Sequence, residues 1–394
     1  MSISVGEDVL NRSRRRVVML LLTLTVFFNE LSYSVVVPIL PLQADKFGWS
    51  EIEVGLLLGC FGLSGLATAP FVGRLSNRLG LRRLFFSGLG LLAMGTVLCA
   101  VGTAYGWMLS GRILQGVAVA VTVAVGMAYI VKIYPAERRG GATGILMGGF
   151  AAGSITGPAA GGVLFEKVSY SVPFVLIFLC VVVLALASAK ALPEGYASRG
   201  GNHSFRALLA NPQVRLLVLC AALSMGVLGM LEAVVPLHLE RGFGAGPTVI
   251  GLVFVGATLG QGLASPLAGV VADYMGTRLT MLSGLTLLAV AMSAVSAGGS
   301  EPMIAASLCA SGVASAFALV PILPRMAELA GPSDATNYST AYALLNFALD
   351  AGMMAGPLLG GVLLSVLNFT TSILVASAIL LVGAWLTFSA RHNA

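Results

Sequence analysis

Charged residues are scarce in this chain. They make up 10% of its 394 residues, against about 25% in ordinary soluble domains. Histidine is rarer still, with three residues, and the five cysteines are dispersed and odd in number. These shortages argue against a metal cluster and against a disulfide framework. The sequence also shows no pairing of a nucleophile with a base, so we expect neither an enzyme nor a resident cofactor.

Apolar residues dominate instead. They make up 57% of the chain, which would leave far too much apolar surface exposed in a soluble fold. Twelve apolar stretches each reach the roughly 20 residues that a spanning helix needs, and none sustains the period-2 alternation of a membrane strand. We predict an all-α membrane protein with transmembrane helices over residues 16–40, 52–73, 84–104, 107–132, 140–164, 171–192, 214–237, 247–271, 279–298, 302–324, 338–365 and 369–390.

Basic residues are distributed unevenly among the segments between these stretches. With a cytoplasmic N-terminus, eighteen of the 22 lysines and arginines fall in cytoplasmic segments, and only Lys46, Lys167 and Arg241 fall outside. An excess of this kind marks the cytoplasmic side of a membrane protein. We expect a multi-pass protein of the inner (cytoplasmic) membrane with both termini in the cytoplasm. The same distribution accounts for the net charge of +6 without a nucleic-acid partner.

Three short motifs recur with nearly one period, which indicates an internal duplication. The pattern GxxxGPxxGG recurs at an offset of 199 residues, Val-Val-Pro at 198, and the loop sequences GRLSNRLGLR and GVVADYMGTR at 196. Residues 193–213 have the proline, glycine and charge content of a linker. We predict two six-helix halves, 1–192 and 214–394, joined by this cytoplasmic linker.

The repeated motifs supply candidate conformational residues. Glycines spaced by four line one helix face and let a neighbouring helix approach closely, while proline removes a backbone donor and bends the helix. Ordinary helix packing is one interpretation, and a bend that seals one side of a cavity is the other. The candidates are Gly153, Gly157, Pro158, Gly161, Gly352, Gly356 and Pro357 in the glycine motifs, and Gly73, Asn77, Arg78, Gly80 and Asp273 in the loop sequences.

The motifs also resemble those of a known family. RLSNRLGLRR after the second helix resembles the loop signature of the major facilitator superfamily, and Arg112-Ile113-Leu114-Gln115-Gly116 resembles its RxxQG element. GxxxGPxxGG resembles the motif of its proton-coupled drug antiporters. Within that branch, VVVPILP, APFVGRLSNRLG, GRILQG and GMLEAVVP are similar to the vesicular amine transporters and their bacterial relatives. The resemblance implies two helical repeats with a substrate site between them near the membrane midplane.

Four charged residues lie deep within the predicted helices, namely Glu30, Arg112, Glu232 and Asp350. A charge at the bilayer centre costs about 2.5–3.5 kcal/mol on insertion scales, so such residues are hard to explain as scaffold. Unlike the glycine motifs, they are not repeated in the other half. We therefore predict that the three acids couple protons or bind substrate. Arg112 either shares that role or pairs with an acid and keeps it ionised.

Polar and aromatic neighbours complete the predicted site. Gln115 belongs to the RxxQG element, and Asn346 lies on the same helix face as Asp350. Tyr33 lies within one turn of Glu30, where its ring can stack on a bound cation. Since a polar stripe on an apolar helix faces a wet cavity or a partner and not lipid, we expect these residues to face the substrate.

The resemblance to the amine transporters is partial at the charged positions. It implies that Glu232 corresponds to an acid of that family, whereas Asn29 and Asn346 stand where the family has acids. Two further charged positions of the family, an acid and a lysine, are occupied here by Ala316 and Phe61. These departures weigh against a monoamine substrate.

Together these features favour a proton-coupled secondary transporter that exports a small cationic or amphiphilic organic molecule by alternating access, as multidrug antiporters do. Three acids against one arginine favour a cation. The alternative is export of an anionic metabolite such as a carboxylate siderophore, with Arg112 as its anchor. A non-transporting membrane sensor or scaffold is a third possibility, although that role needs no acids at the midplane. We expect a small-molecule substrate, protons and membrane lipid as partners, and function as a monomer.

Overall fold

The structure is a computed structural model that describes residues 12–101, 104–194, 205–329 and 335–389. Within those ranges the chain is helical and contains no strand. The helices are α1 (Arg12–Ser34), α2 (Leu40–Phe47), α3 (Glu51–Leu79), α4 (Leu81–Val101), α5 (Tyr105–Ile133), α6 (Ala136–Lys167), α7 (Val172–Ala191), α8 (Phe205–Leu209), α9 (Pro212–Phe243), α10 (Pro247–Met275), α11 (Thr277–Ser296), α12 (Glu301–Leu319), α13 (Ile322–Leu329), α14 (Ala335–Val366) and α15 (Phe369–Ser389).

Each of the twelve predicted apolar stretches contains one long helix, which confirms the predicted fold class. In the described part of the chain, eleven helical spans are long and apolar enough to cross a membrane. The remaining stretch, 140–164, contains α6, which is 32 residues long but has many glycines that lower its hydropathy. Part of the predicted linker, residues 195–204, lies outside the described residues. The rest of the linker contains α8, and the limits of the two halves stay a prediction.

Two predicted helices are interrupted, and both interruptions occur at the sequence Pro-Ile-Leu-Pro. The stretch 16–40 was expected to form one helix, but α1 ends at Ser34 and the chain turns before α2 begins at Leu40. The stretch 302–324 likewise divides between α12 and α13. Two prolines three residues apart remove two backbone donors from neighbouring turns. A single proline, such as Pro236 within α9, does not interrupt its helix.

The glycines of each GxxxGPxxGG motif that are spaced by four pack within one half. A Cβ added at Gly153, Gly157 or Gly161 of α6 would overlap α1 between Phe27 and Val35. The corresponding residues of α14, Gly352, Gly356 and Gly360, pack in the same way against α9. The motif therefore brings α6 onto α1 and α14 onto α9 at backbone distance.

A second face of the same motif makes contact between the two halves. The carbonyl of Pro158 and the backbone at Gly162 lie against Gly251 and Pro247 of α10. In the other copy, the carbonyl of Pro357 and the backbone at Gly361 lie against Gly55 and Glu51 of α3, and the contact extends to Gly62. The halves thus meet through α6 with α10 and α3 with α14, in a nearly two-fold arrangement.

These contacts close one end of the bundle, which we call the closed end. It includes the start of α3, the end of α9 and the start of α10. The opposite end, where α1 starts and α15 ends, is the termini end. Toward it α3 separates from α14, and a Cβ added at Gly73 would have open space around it. The bundle is therefore sealed at the closed end and more open at the termini end.

The packing of α6 on α1 predicts a stability difference between two glycines of α6. We expect Gly157→Ala to lower the midpoint of thermal unfolding, because overpacking costs about 1–3 kcal/mol. Gly148→Ala is the matched control on the same helix, since a Cβ there meets nothing within 4 Å. Thermal unfolding of both detergent-solubilised variants measures the difference. Equal midpoints would contradict the packing role.

Candidate functional site

Arg112 of α5 lies fully buried beside the interruption of α1. Its Nη1 donates to the carbonyl oxygens of Ser32 at 3.3 Å and Tyr33 at 3.5 Å, and its Nε donates to that of Leu57 at 3.2 Å. The last carbonyls of a helix have no partner within the helix. They also form its negative end, where a cation is favourable. Arg112 thus caps α1 at the point where the helix stops.

The sequence analysis offered an ion pair with an acid as one role for Arg112. The structure shows different surroundings for its guanidinium. Its Nη1 also donates to Gln115 Oε1 at 3.2 Å, and Gln115 Nε2 donates to Thr96 at 3.3 Å. The guanidinium lies 4.8 Å from the ring centroid of Tyr33 and 4.9 Å from that of Phe61. Among the described residues, no carboxylate lies within 4.0 Å of Arg112. Its charge is compensated by carbonyl dipoles and aromatic faces.

Glu30 projects from α1 toward α6. Its Oε1 accepts a hydrogen bond from the Ser154 hydroxyl at 2.8 Å. Gly153, next to that serine, has the stem of Glu30 and the carbonyl of Phe27 against it, so a side chain there would displace the carboxylate. The charges of Glu232 and Arg112 are close enough to act on Glu30.

A short hydrogen bond joins the two halves about one helical turn from Glu30. The hydroxyl of Tyr33 in α1 donates to Glu232 Oε2 in α9 at 2.6 Å. A hydrogen bond of this length to an ionised acceptor is charge-assisted and about twice as strong as a neutral one. The link therefore depends on the charge state of Glu232.

Asn29 holds α1 against α5. Its Nδ2 donates to the Thr122 hydroxyl at 2.9 Å, and its Oδ1 is buried without a hydrogen-bond partner. An unpaired buried acceptor of this kind costs about 1–3 kcal/mol. A donor reaching this position would relieve that cost.

Asp350 lies apart from the cluster that contains Glu30 and Glu232. The residue is partly open to the surface, and among the described residues its carboxyl makes no hydrogen bond or ion pair. Its backbone lies beside Gly62, where α3 begins to separate from α14. Asn346 lies one turn earlier and is half-buried. The predicted residues therefore form one cluster around the end of α1 and a separate acid at the opening between the halves.

The loop signature has a structural role in both copies. Gly80 and Gly276 connect consecutive helices with φ of 81° and 82°, a backbone region that glycine adopts without strain. Arg82 then donates to the Ala189 carbonyl at the end of α7, and Arg278 donates to that of Thr387 at the end of α15. The predicted candidates Asn77, Arg78 and Asp273 are exposed at this end of the bundle.

The closed end contains polar contacts between the halves that sequence reasoning did not identify. Arg241 at the end of α9 donates to Asp45 at 2.9 Å and to Glu51 at 2.6 Å. Glu166 at the end of α6 accepts from the backbone N–H of Thr248 at 3.1 Å. The sequence did contain an indication of these contacts. Few basic residues lie in the segments on the side of the closed end, and Arg241 is one of them among several acids.

Ser154 is another residue that the sequence analysis did not identify. It lies within the glycine motif, one position after Gly153, and it donates to Glu30. The motif is defined by its glycines and proline, so the serine between Gly153 and Gly157 was not selected as a candidate. Its place on α6 facing α1 became apparent only with the packing of those two helices.

Comparison with known proteins identifies the family. A family model described as Major Facilitator Superfamily matches residues 22–242 and 217–393. The chain belongs to the major facilitator superfamily. This confirms the resemblance seen in the sequence motifs. The relatives and the fold are those of transporters and not of enzymes.

Several members of this superfamily are similar along most of the chain. The synaptic vesicular amine transporter of Mus musculus is 28% identical over 86% of this chain and 66% of its own length. The MFS-type transporter SLC18B1 of Homo sapiens is 26% identical over 93% of this chain and 84% of its own length. The chain thus spans slightly less than two thirds of the length of the amine transporter.

A solved structure of the superfamily has the same fold. It is a bacterial homologue of the human lysosomal transporter Spinster in an inward-facing and unoccupied conformation. The TM-score is 0.82 at 17% identity, over 96% of this chain and 97% of that chain. The human organic anion transporter MFSD10 (TETRAN) gives a TM-score of 0.70 at 18% identity, over 96% and 100%. These likenesses concern the fold alone.

The capping role of Arg112 predicts the effect of a conservative substitution. We expect Arg112→Lys to lower the thermal unfolding midpoint, because one ammonium cannot reproduce the planar donor set of the guanidinium. Each buried carbonyl left unpaired costs about 1–3 kcal/mol. Arg74→Lys, at an exposed position of α3, is the control and should leave the midpoint unchanged. A midpoint for Arg112→Lys equal to that of the control would contradict the cap.

Proposed function

We propose that this chain is a proton-coupled secondary transporter that exports a small cationic or amphiphilic organic molecule. The observation that carries this proposal is the state of Glu30 and Glu232. Both carboxylates accept hydrogen bonds from hydroxyls, and among the described residues neither has a cationic group within 4.0 Å. Two acids embedded between helices without ion pairs are suited to accept a proton or a cationic ligand.

The bond between Tyr33 and Glu232 supplies a coupling rule. When Glu232 is ionised and empty, the charge-assisted bond holds α1 of one half to α9 of the other. Either a proton or a substrate cation neutralises the carboxylate and weakens this bond. Both loaded forms can then change conformation while the empty form is held. An antiporter needs this rule, because transit of the empty form would uncouple exchange.

The direction of transport rests on the orientation predicted from the basic residues. With both termini in the cytoplasm of an inner-membrane protein, the closed end faces outward and the opening at the termini end faces the cytoplasm. Substrate enters beside Asp350, which lies exposed at that opening, and proceeds toward Glu30 and Glu232. The two halves, 1–192 and 214–394, then rock about this site in a monomer.

Similarity to the amine transporters supports a cationic substrate. The ring of Tyr33, whose hydroxyl is bonded to Glu232, contacts that of Phe61 with centroids 4.7 Å apart, and an aromatic face beside a carboxylate suits an organic cation. Where the motif resemblance implies a lysine and an acid for that family, this chain has Phe61 and Ala316. We therefore propose an amine or amphiphilic cation other than a monoamine, as in multidrug export.

One observation favours the anionic alternative. The Nη2 of Arg112 has no hydrogen-bond partner, so it could donate to a carboxylate ligand. Against this, the guanidinium is fully buried behind Tyr33 and Phe61 and already caps α1. Export of an anionic metabolite would require the end of α1 to rearrange. The cation therefore remains the proposed substrate class.

Transport by two neutral variants tests the proposal. We expect Glu30→Gln and Asp350→Asn to keep the wild-type unfolding midpoint but to lose pH-gradient-driven transport of a cationic dye such as ethidium in proteoliposomes. Each variant removes a titratable charge while retaining the side-chain shape. Glu328→Gln, an exposed acid of α13, is the control. Wild-type flux in both variants, or gradient-driven flux of a tricarboxylate such as citrate that is lost in Arg112→Ala, would overturn the assignment.

The coupling rule makes a separate prediction. Tyr33→Phe removes the bond to Glu232 without changing the ring, so the empty form should change conformation as the protonated form does. Alternation of these two forms would then carry protons without substrate. We expect a higher proton leak in substrate-free proteoliposomes containing a pH-sensitive dye. Tyr105→Phe is the matched control, because that hydroxyl donates to the Glu53 carbonyl within the same half. A leak equal to wild type in Tyr33→Phe would contradict the rule.

A further inference from the structure

A cavity of about 200 Å³ lies at the termini end, within the second half of the chain. It is formed where α9 and α11 begin, where α15 ends and along α13. These are the ends of membrane-spanning helices, so the cavity lies at the level of the lipid head groups. An occupant can therefore come from the lipid leaflet or from solution.

Arg278 gives this cavity a positive charge. Its Nε and Nη2 donate to the carbonyls of Thr387 and Phe388 at the end of α15, and among the described residues its Nη1 makes no hydrogen bond. No carboxylate in the described part of the chain lies within 4.0 Å of it. The carbonyls orient the guanidinium but leave its charge without a counter-ion.

The first half shows what accompanies the equivalent arginine. Arg82 stands 196 residues before Arg278 in the repeated loop sequence, and it donates in the same way to a carbonyl at the end of a helix, that of Ala189 in α7. Its Nη1 also forms an ion pair with Glu194 at 3.2 Å. The sequence has no acid after Asp350, so the end of the second half cannot supply the same partner. An external anion beside Arg278 would restore the arrangement of the first half.

Arg325 brings a second guanidinium to the same wall. It donates to Glu328 at 2.8 Å and to Gln213 Oε1 at 3.4 Å. The side chains of Arg325 and Glu328 are 40% and 65% exposed, and a pair this exposed contributes about 0–1 kcal/mol. An anion in the cavity can therefore share or replace the Glu328 carboxylate. Taken together, Arg278, Arg325 and Glu328 leave the cavity with a net positive charge.

The start of α11 adds backbone donors to that charge. Gly276 precedes the helix, and no side chain caps it. The first N–H groups of α11 therefore have no partner within the helix. A helix end of this kind attracts anions, and phosphate in particular. Thr277 and Arg278 of this first turn both line the cavity.

The rest of the wall is apolar. Leu216 and Leu217 of α9, Met281 of α11 and Leu329 of α13 line it. A small soluble anion gains nothing from these side chains, whereas the chains of a lipid can contact them. Basic pockets between helices on the cytoplasmic side are typical of sites for anionic lipid head groups.

We infer that this cavity binds the phosphodiester of an acidic phospholipid, such as phosphatidylglycerol, from the leaflet at the termini end. Arg278, Arg325 and the first N–H groups of α11 hold the phosphate, and the apolar wall contacts the first carbons of the chains. All of these contacts lie in the second half, so a bound lipid holds α9, α11, α13 and α15 together without joining the halves. The site is separate from the cluster around Glu30 and does not depend on the transport cycle proposed above.

Native mass spectrometry of the full-length protein in detergent tests this inference, because it measures the dissociation constant of each added lipid. The probes are phosphatidylglycerol and the zwitterionic phosphatidylcholine with the same chains. We expect the first phosphatidylglycerol to bind at least about fivefold more tightly, which is the effect of one basic residue at an anionic membrane surface. Arg278→Gln and Arg325→Gln should each lower that preference about threefold or more.

Arg82→Gln is the matched control, because this arginine has the same place in the first half but already has Glu194 as its counter-ion. It should keep the wild-type preference. Arg325→Gln leaves the contacts of Arg278 with α15 in place, so it decides the test if Arg278→Gln lowers the unfolding midpoint. A preference unchanged in Arg325→Gln, or lowered equally by Arg82→Gln, would overturn the inference.

The same measurement with sn-glycerol 1-phosphate distinguishes a lipid from a soluble phosphate ester. We expect this head group alone to bind at least tenfold more weakly than phosphatidylglycerol, because it lacks the chains that contact the apolar wall. An affinity equal to that of the lipid, and lost in Arg325→Gln, would overturn the assignment to a lipid. None of these results bears on transport, which the flux assays measure.

Discussion

The arrangement of this molecule depends on one helix end. Pro-Ile-Leu-Pro stops α1 at Ser34 and leaves its last carbonyls without partners inside the membrane, where no water can satisfy them. Arg112 of α5 satisfies two of them and is itself held by Gln115. A buried guanidinium and a broken helix would each be unfavourable alone, but together they satisfy one another. The position of Tyr33, and with it the link to the second half, follows from this pairing.

The two glycine motifs determine which helices around that end pack tightly and which can separate. One face of each motif fixes α6 to α1 or α14 to α9, while the other face carries the contact between the halves. Contacts between glycine backbones are close but gain no specific hydrogen bond, so their separation leaves no unpaired buried donor. The ion pairs of Arg241 at the closed end are partly exposed, and exposed pairs contribute about 0–1 kcal/mol each. Contacts of these two kinds between the halves can separate at a small cost.

Most of the fold could be predicted from the sequence because spanning length and hydropathy decide it. The starts of α10 and α15, at Pro247 and Phe369, fall where the apolar stretches were expected to begin. The site was predicted less completely. Glu30, Glu232 and Arg112 were selected as candidates by their cost in a membrane, and the structure places them near the end of α1. The partners Ser154, Thr96 and Thr122 were not, because a hydroxyl in an apolar helix has little cost and its partner lies up to 124 residues away.

In the proposed mechanism, the asymmetry of the charges is what lets a duplicated scaffold couple two ligands. If both halves carried the same acids, the site would bind two equal charges and favour neither proton nor substrate. Here a tyrosine of α1 meets an acid of α9, so one half supplies the donor and the other the charge. The strength of the contact between the halves then changes with whatever neutralises that single carboxylate. In this proposal the symmetric glycines permit the halves to separate, and the unmatched Tyr33–Glu232 pair sets the condition under which they do so.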